Sequence, residues 1–483
     1  MNVDATPPPA RRAASRVAGL WLVVAFTILA GGYALVVPVF AAPDEPFHFE
    51  YVRYLAQHAA MPDQTDAQKR ISSEGMGPPL YYALAAVVLR VVDPDVGAGI
   101  VLHDHLDIAR FVEHPSRGMP ERLRPPLNPH YVKWRQGEEP NMFLRMPEDR
   151  FPYRAPAGAI HWLRMLSVLC GAGTVWLVYR TAGLVWPDRP DLAVIATALV
   201  AFDPQFAFLS GSINNDNGVI LLASAALHLM TRLLVATTPR IRDEAWLGVV
   251  IGAALIVKTN AVVLLPLALG VLVWTSRGRG GWRAAWPGAL RVSIPVVLIA
   301  GWFFVRGVLV YGLADPLGMT LRAAQNPDLV LPPEQRAHFF FEVFGQRLFQ
   351  SWWGLFDWVT LPMPGWLYVF YGLLMCFAAA GAIVRLGTEA SVRERTCSVL
   401  YAAAFALSLA ALVALNFTFH SAQSRLLFPA IVGVAIVLAG GLDTAIASVL
   451  RERAGARVRR ALPILLAVLS AGVLFGVVGP AYP

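Results

Sequence analysis

The chain has 483 residues, is 56% hydrophobic and only 15% charged, and has a mean hydropathy of +0.53. These values exclude an ordinary soluble globular protein and fit a polytopic membrane protein. A net charge of +8 would suit a nucleic-acid binder. The basic residues, however, fall in short loops between apolar runs, as positive-inside topology requires, so no nucleic-acid partner is expected.

The first apolar run extends from Val17 to Phe40, and its uncharged part, Leu20 to Phe40, is long enough to span the ~30 Å hydrocarbon core. Arg11, Arg12 and Arg16 precede it, which predicts a cytoplasmic N-terminus and an external Asp44. The run is long, and Ala41-Ala42 is followed by Pro43, so cleavage as a signal peptide is not expected. The stretch Pro43-Asp44-Glu45-Pro46-Phe47-His48 then places two carboxylates and a histidine where the chain leaves the membrane. Phe47, Tyr51, Tyr54 and Leu55 recur at helical spacing and predict a short amphipathic helix on the membrane surface. Such a helix has two readings, an interfacial element with a polar rim or a carrier of chemistry.

Pro78-Pro79-Leu80-Tyr81-Tyr82 to Val92 is apolar but short, and reads as a second juxtamembrane helix started by the proline pair. From Asp93 to Ala159 the chain is rich in Pro, Arg and His. Residues 41–159 are therefore expected to form one large external loop, part helical and part irregular. Ten further spans are expected near 160–182, 190–210, 217–236, 245–258, 260–276, 288–310, 365–385, 397–416, 425–447 and 461–480, making about eleven in all. Residues 245–276 read as a hairpin turning at Lys258-Thr259-Asn260, because a single span there would invert every later loop. The expected inner loops are all basic, with Arg180 and Arg189, Arg240 and Arg242, Arg277 to Arg283, Arg385 to Arg395, and Arg451 to Arg460.

A second external loop, 311–364, holds Asp315, Glu334, His338 and the cluster Ser351-Trp352-Trp353-Gly354-Leu355-Phe356-Asp357-Trp358. These tryptophans suit either interface anchors or a substrate platform. Cys170, Cys376 and Cys397 lie in apolar runs, so the external loops have no disulfide framework.

Ionisable groups within or at the ends of spans are costly and mark function. Asp44, Glu45, Asp216, Lys258, Arg306, His420 and Arg425 all fall at one expected depth, under the external face. His228, nearer the middle of its span, reads as a buried histidine bonded to a neighbouring helix. A transporter would place polar groups at the midplane, and a channel would run a polar face through its spans. The one-sided distribution favours chemistry at the membrane surface. Carboxylates with Lys and Arg suit one task well: cations hold a phosphate, and a carboxylate takes a proton from a hydroxyl or binds a metal. No Walker loop, G-x-S-x-G elbow or H-E-x-x-H occurs, which argues against a nucleotide donor and a serine-hydrolase mechanism.

A first span ending in Asp44-Glu45, a large external loop, and a Pro-Pro-Leu-Tyr-Tyr helix resemble the GT-C integral membrane glycosyltransferases. The nearest types are the protein O-mannosyltransferases and lipid A aminoarabinose transferases, families 39 and 83. Asn214-Asn215-Asp216, Lys258-Thr259-Asn260, Tyr311-Gly312-Leu313-Ala314-Asp315-Pro316 and Gln423-Ser424-Arg425-Leu426-Leu427-Phe428-Pro429 resemble a bacterial membrane-protein family placed beside them.

The resemblance implies an all-α GT-C-like bundle in the inner or plasma membrane. It also implies transfer of a sugar from a polyprenyl-phosphate donor to a glycan, lipid or protein acceptor at the extracytoplasmic face. Asp44 maps to the aspartate that acts as base or metal-site acid, with Glu45 its neighbour. Related enzymes often have Lys or His just before the proline pair; this chain has Gly77, with Glu74 upstream. The candidate donor-binding residues are His48, Arg53, Asp216, Lys258, Arg306, His420 and Arg425. Asp44 and Asp216 are the candidate ligands for a divalent metal, Mg or Mn. No ligand set with metal-site spacing is visible, so the chemistry does not require one. The rival reading is a lipid-linked saccharide transporter (a flippase) or a non-catalytic membrane scaffold.

Overall fold

Apolar runs of this length become helices because, in lipid, each backbone polar group must be paired within its own segment. The computed structural model describes residues 9–66, 69–96, 149–153, 157–238 and 240–482, and a helix stands at every expected span. The chain opens with α1 (Pro9–Val36), α2 (Glu45–His58) and α3 (Leu80–Val92). Then come α4 (Ala157–Val185), α5 (Pro190–Ala201), α6 (Pro204–Ser210), α7 (Asn215–Val235) and α8 (Ile241–Leu255). A 3-10 turn, Thr259–Val263, leads into α9 (Leu264–Thr275), followed by α10 (Trp282–Tyr311).

Among the described residues, eight helices are long and apolar enough to cross a membrane, or nine if α5 and α6, bent by 62°, form one span. This is fewer than the eleven expected. The difference lies in the 245–276 hairpin, where the chain does break around Lys258. Its arms, α8 and α9, have only 15 and 12 residues, each shorter than a full crossing. The α5–α6 bend arises at Asp203-Pro204: proline starts α6, and the Asp203 carboxylate caps it by accepting from the Phe206 amide at 2.9 Å.

The two expected loops depart from the sequence reading in opposite ways. Helix α2 is not a half-wetted surface helix: Glu45, His48, Glu50 and Arg53 are buried along with its apolar residues. Residues 97–148 of the first loop lie outside the described residues. The second loop is substantially folded, with α11 (Met319–Gln325), α12 (Gly345–Trp353) and a small antiparallel hairpin. The hairpin pairs β1 (Leu355–Phe356) with β2 (Leu361–Pro362), in the register Leu355 to Pro362 and Phe356 to Leu361. Trp353 stacks on Tyr371 with centroids 4.2 Å apart, and Trp358 donates its indole N–H to the Phe40 carbonyl at 3.2 Å. Both are therefore pieces of internal packing.

The remaining helices are α13 (Gly365–Thr388), α14 (Val392–Asn416), α15 (Ile431–Val449) and α16 (Glu452–Val473). The α15 span is the centre of the bundle, with 78% of its most apolar stretch buried against 28% for α10 and for α13. Helix α13 packs on it through paired glycines. A Cβ at Gly441 would lie 1.9 Å from the Ala378 carbonyl, and one at Gly381 2.0 Å from the Gly441 carbonyl, so only glycine permits this approach. His228 of α7 bonds Thr181 of α4 at 3.0 Å, as a buried interhelical contact.

One end of the bundle is tied by Asp443 of α15. Its carboxylate receives Arg189 at 3.0 Å, Arg385 at 3.2 Å and Arg459 at 2.6 Å, and Arg385 also binds Glu394 at 2.5 Å. The three arginines come from three expected inner loops, so the basic bias is matched by one acid that sequence reading passed over. We expect Asp443→Ala to lower stability by about 2 kcal/mol. That is below the ~3–5 kcal/mol for a fully buried pair, because Arg385 keeps Glu394. A thermal melt in detergent checks this; an unchanged melting temperature would show the cluster to be incidental.

Candidate active site

At the other end of the bundle, beyond the start of α15 and so more than roughly 18 Å along the helix from Asp443 at 1.5 Å per residue, four charged side chains meet. They come from four places distant in sequence: Asp44 after α1, Asp216 in the first turn of α7, Lys258 at the α8–α9 break and Arg425 just before α15. Asp44 caps α2 with a left-handed backbone, φ 63°. Its carboxylate bonds the Arg425 guanidinium. The Nε of Arg425 lies 3.7 Å from Oδ2 of Asp216, and Lys258 takes the other Asp216 oxygen at 2.5 Å. Asp216 is held because Asn214 caps α7, its side chain accepting from the Asp216 amide at 2.8 Å. Asp216 is buried, whereas the side chains of Asp44 and Lys258 are 33% and 25% exposed. The two ends of the chain Asp44–Arg425–Asp216–Lys258 are therefore open to a ligand.

Burial alone would raise the Asp44 carboxyl. The neighbouring charges of Arg425, His48 and Lys258 outweigh it and hold the group below the ordinary carboxylate range. One turn along α2, Nδ1 of His48 lies 2.8 Å from the Tyr82 hydroxyl, which donates in turn to Glu74 at 3.2 Å. The hydrogen-bond network thus assigns the Nδ1 proton to His48. Burial pushes this imidazole below its ordinary value. Glu74 also receives Arg322 of α11 at 3.4 Å, and His48, Arg322 and Lys258 keep it ionised against the effect of burial. Tyr81 braces this floor: its hydroxyl bonds Ser167 of α4 at 2.7 Å and accepts the Asn214 amide at 3.1 Å.

The structure thus brings together Asp44, His48, Asp216, Lys258 and Arg425. Glu45 is adjacent but faces away, fully buried against Arg164 with oxygen–nitrogen distances of 2.8 and 2.6 Å. The other three candidates are engaged elsewhere. Arg53 is buried in α2 beside Glu50, Arg306 donates to the Pro62 carbonyl at 2.8 Å, and His420 packs edge-on against Phe339. Glu74, Tyr82 and Arg322 were not singled out from sequence as site residues. Glu74 and Tyr82 flank the proline pair, which was the available signal; Arg322 had none.

The two carboxylates expected for a divalent ion are both paired with side-chain cations: Arg425 lies against both, and Lys258 takes Asp216. Among the described residues no group of three His, Cys, Asp or Glu side chains is placed to hold one.

Residues 159–304, from α4 into α10, match the family model described as dolichyl-phosphate-mannose-protein mannosyltransferase. No curated protein matches the chain. Among solved structures, the archaeal oligosaccharyltransferase AglB from Archaeoglobus fulgidus, in complex with an inhibitory peptide and a dolichol-phosphate, superposes with a TM-score of 0.51. It is 13% identical, over 96% of this chain and 55% of its own. The fold is GT-C. A second GT-C structure, ArnT from Cupriavidus metallidurans bound to undecaprenyl phosphate, has a TM-score of 0.46 at 14% identity, over 96% of this chain and 73% of that one. The family-model match begins within α4, which carries Arg164, and includes α7 and Lys258, two sides of the charged cluster.

Proposed function

We propose that the protein is a membrane glycosyltransferase that moves a sugar from a polyprenyl-phosphate donor to an acceptor hydroxyl at the extracytoplasmic face. The observation that carries the reading is the arrangement of Asp44, Arg425, Asp216 and Lys258, two exchangeable cations beside a partly exposed carboxylate kept ionised. The donor phosphate takes Arg425 as a bidentate partner and Lys258 as a point charge. Arg425 thereby leaves Asp44. The freed carboxylate accepts the proton of the acceptor hydroxyl as its oxygen attacks the anomeric carbon. The bond from that carbon to the phosphate oxygen breaks with inversion, and polyprenyl phosphate leaves on the two cations. No step passes through a metal. His48, fixed by Tyr82 and Glu74, orients the acceptor side of Asp44.

Three observations support this over a transporter. The charged side chains gather at one end of the bundle, the midplane histidine His228 is engaged with Thr181, and the fold is GT-C. Proteoliposomes given a labelled polyprenyl-phosphate sugar and a soluble acceptor extract decide between the two. Label appearing in acceptor supports transfer; label crossing the bilayer while still on its lipid sinks it. The orientation has its own test. A cysteine introduced by Asp44→Cys should react with an impermeant thiol reagent in intact cells. Reaction only after lysis would overturn the external placement.

A further inference from the structure

Arg164, in the second turn of α4, is fully buried and uses all five of its N–H donors on one short stretch of chain. Nε and Nη2 bind the two Glu45 oxygens at 2.8 and 2.6 Å. Nη1 donates to Ala34 O at 2.8 Å and Val37 O at 2.6 Å, and Nη2 also donates to Pro38 O at 2.8 Å. The Ala34 carbonyl belongs to the last turn of α1, where carbonyls lack intrahelical partners and a cation is favoured. One turn earlier on α4, Nδ1 of His161 lies 2.9 Å from the Ala34 carbonyl and its Nε2 2.7 Å from Asp149. The other Asp149 oxygen accepts the Val39 amide at 2.9 Å. Glu45 also accepts the Phe40 amide at 2.9 Å and the Ile213 amide at 3.0 Å. The stretch from the end of α1 to the start of α2 is thus pinned at six residues, Ala34, Val37, Pro38, Val39, Phe40 and Glu45.

That link needs pinning. Phe40 and Asp44 are both left-handed, with φ 69° and 63°, and neither is glycine. Such residues are unfavourable and persist only where the surroundings over-determine them. Asp44 is the last of them, one peptide from Glu45. The direction of its carboxylate toward Arg425 therefore follows from where Glu45 is held.

We propose that Arg164, seconded by the His161–Asp149 pair, is a positioning residue for the Asp44 carboxylate. It touches neither donor nor acceptor and acts through Glu45 and the backbone of the link. The inference rests on the transferase reading for its catalytic consequence but not for its geometry, so two readouts are needed. Arg164→Lys keeps the charge for Glu45 and removes the planar fork that binds three carbonyls. His161→Gln removes the contact to Asp149 and serves where the lysine variant folds poorly.

The first readout is the labelling rate of a cysteine at position 44, introduced by Asp44→Cys in a background with Cys170, Cys376 and Cys397 replaced by serine. Either variant should change that rate several-fold. The second is transfer by the variants with Asp44 intact: kcat per folded molecule should fall about 10²-fold, the scale of a ~1 Å misplacement, while donor affinity stays within about twofold. Unchanged labelling and unchanged kcat in a folded Arg164→Lys protein would overturn the proposal and leave Arg164 a merely structural residue. A parallel loss of donor affinity would overturn it too, by placing Arg164 in the phosphate site. If the wild-type protein transfers no sugar, the proposed function fails, and the labelling rate alone still decides whether Arg164 positions residue 44.

Discussion

Asp44→Asn is expected to lower sugar transfer by roughly 10²–10⁴-fold, the range for losing a general base, while the protein folds and binds donor normally. The substitution keeps the shape of the side chain at the cap of α2 and removes its charge. Asp44 is the partner of Arg425 in the ligand-free chain. Its carboxylate therefore competes with the donor phosphate, and the asparagine variant should bind donor at least as tightly as wild type. This combination, lost turnover with equal or higher affinity, separates a base from a phosphate ligand. Near wild-type turnover by the folded variant would remove Asp44 from the chemistry. Glu45→Gln acts differently. It leaves Arg164 buried without its carboxylate, so its main effect should be on folding yield.

Arg425→Ala should weaken donor binding by about 1.5–3 kcal/mol, the scale of a hydrogen bond to a charged group, or roughly 10–150-fold. Stability should change little. Its two acidic neighbours are not stranded, because Asp216 keeps Lys258 at 2.5 Å and the Asp44 side chain is one-third exposed. The acids of the second loop are engaged or exposed: Asp315 accepts the Met319 and Thr320 amides at 2.8 and 2.7 Å, and Glu334 is exposed. Donor affinity and melting temperature measured on the same variant settle its role. Unchanged affinity with an early melt would make Arg425 a structural ion pair.

Much of this architecture was legible in sequence because lipid imposes a length and polarity rule on every span. The break at Lys258 followed from loop charge, but not that both of its arms are shorter than a full crossing. What remained hidden were pairings between residues far apart in sequence. Nothing local joins Arg425 to Asp44, or Asp443 to three arginines of separate loops. The burial of α2 is hidden in the sequence for a related reason. Glu45, His48, Glu50 and Arg53 look like a wetted face until partners such as Arg164 and Tyr82 come from other helices to pair with them. Arg306 and His420 shared the expected depth of the site, but depth fixes only one coordinate, and lateral position came from packing.

The most direct test of the proposed site is a structure of the protein with polyprenyl phosphate bound. The account predicts the phosphate within hydrogen-bond reach of Arg425 and Lys258, with the Asp44–Arg425 contact opened and the Asp44 carboxylate turned toward the space where the sugar would sit. A phosphate bound elsewhere, with the Asp44–Arg425 pair intact, would contradict it.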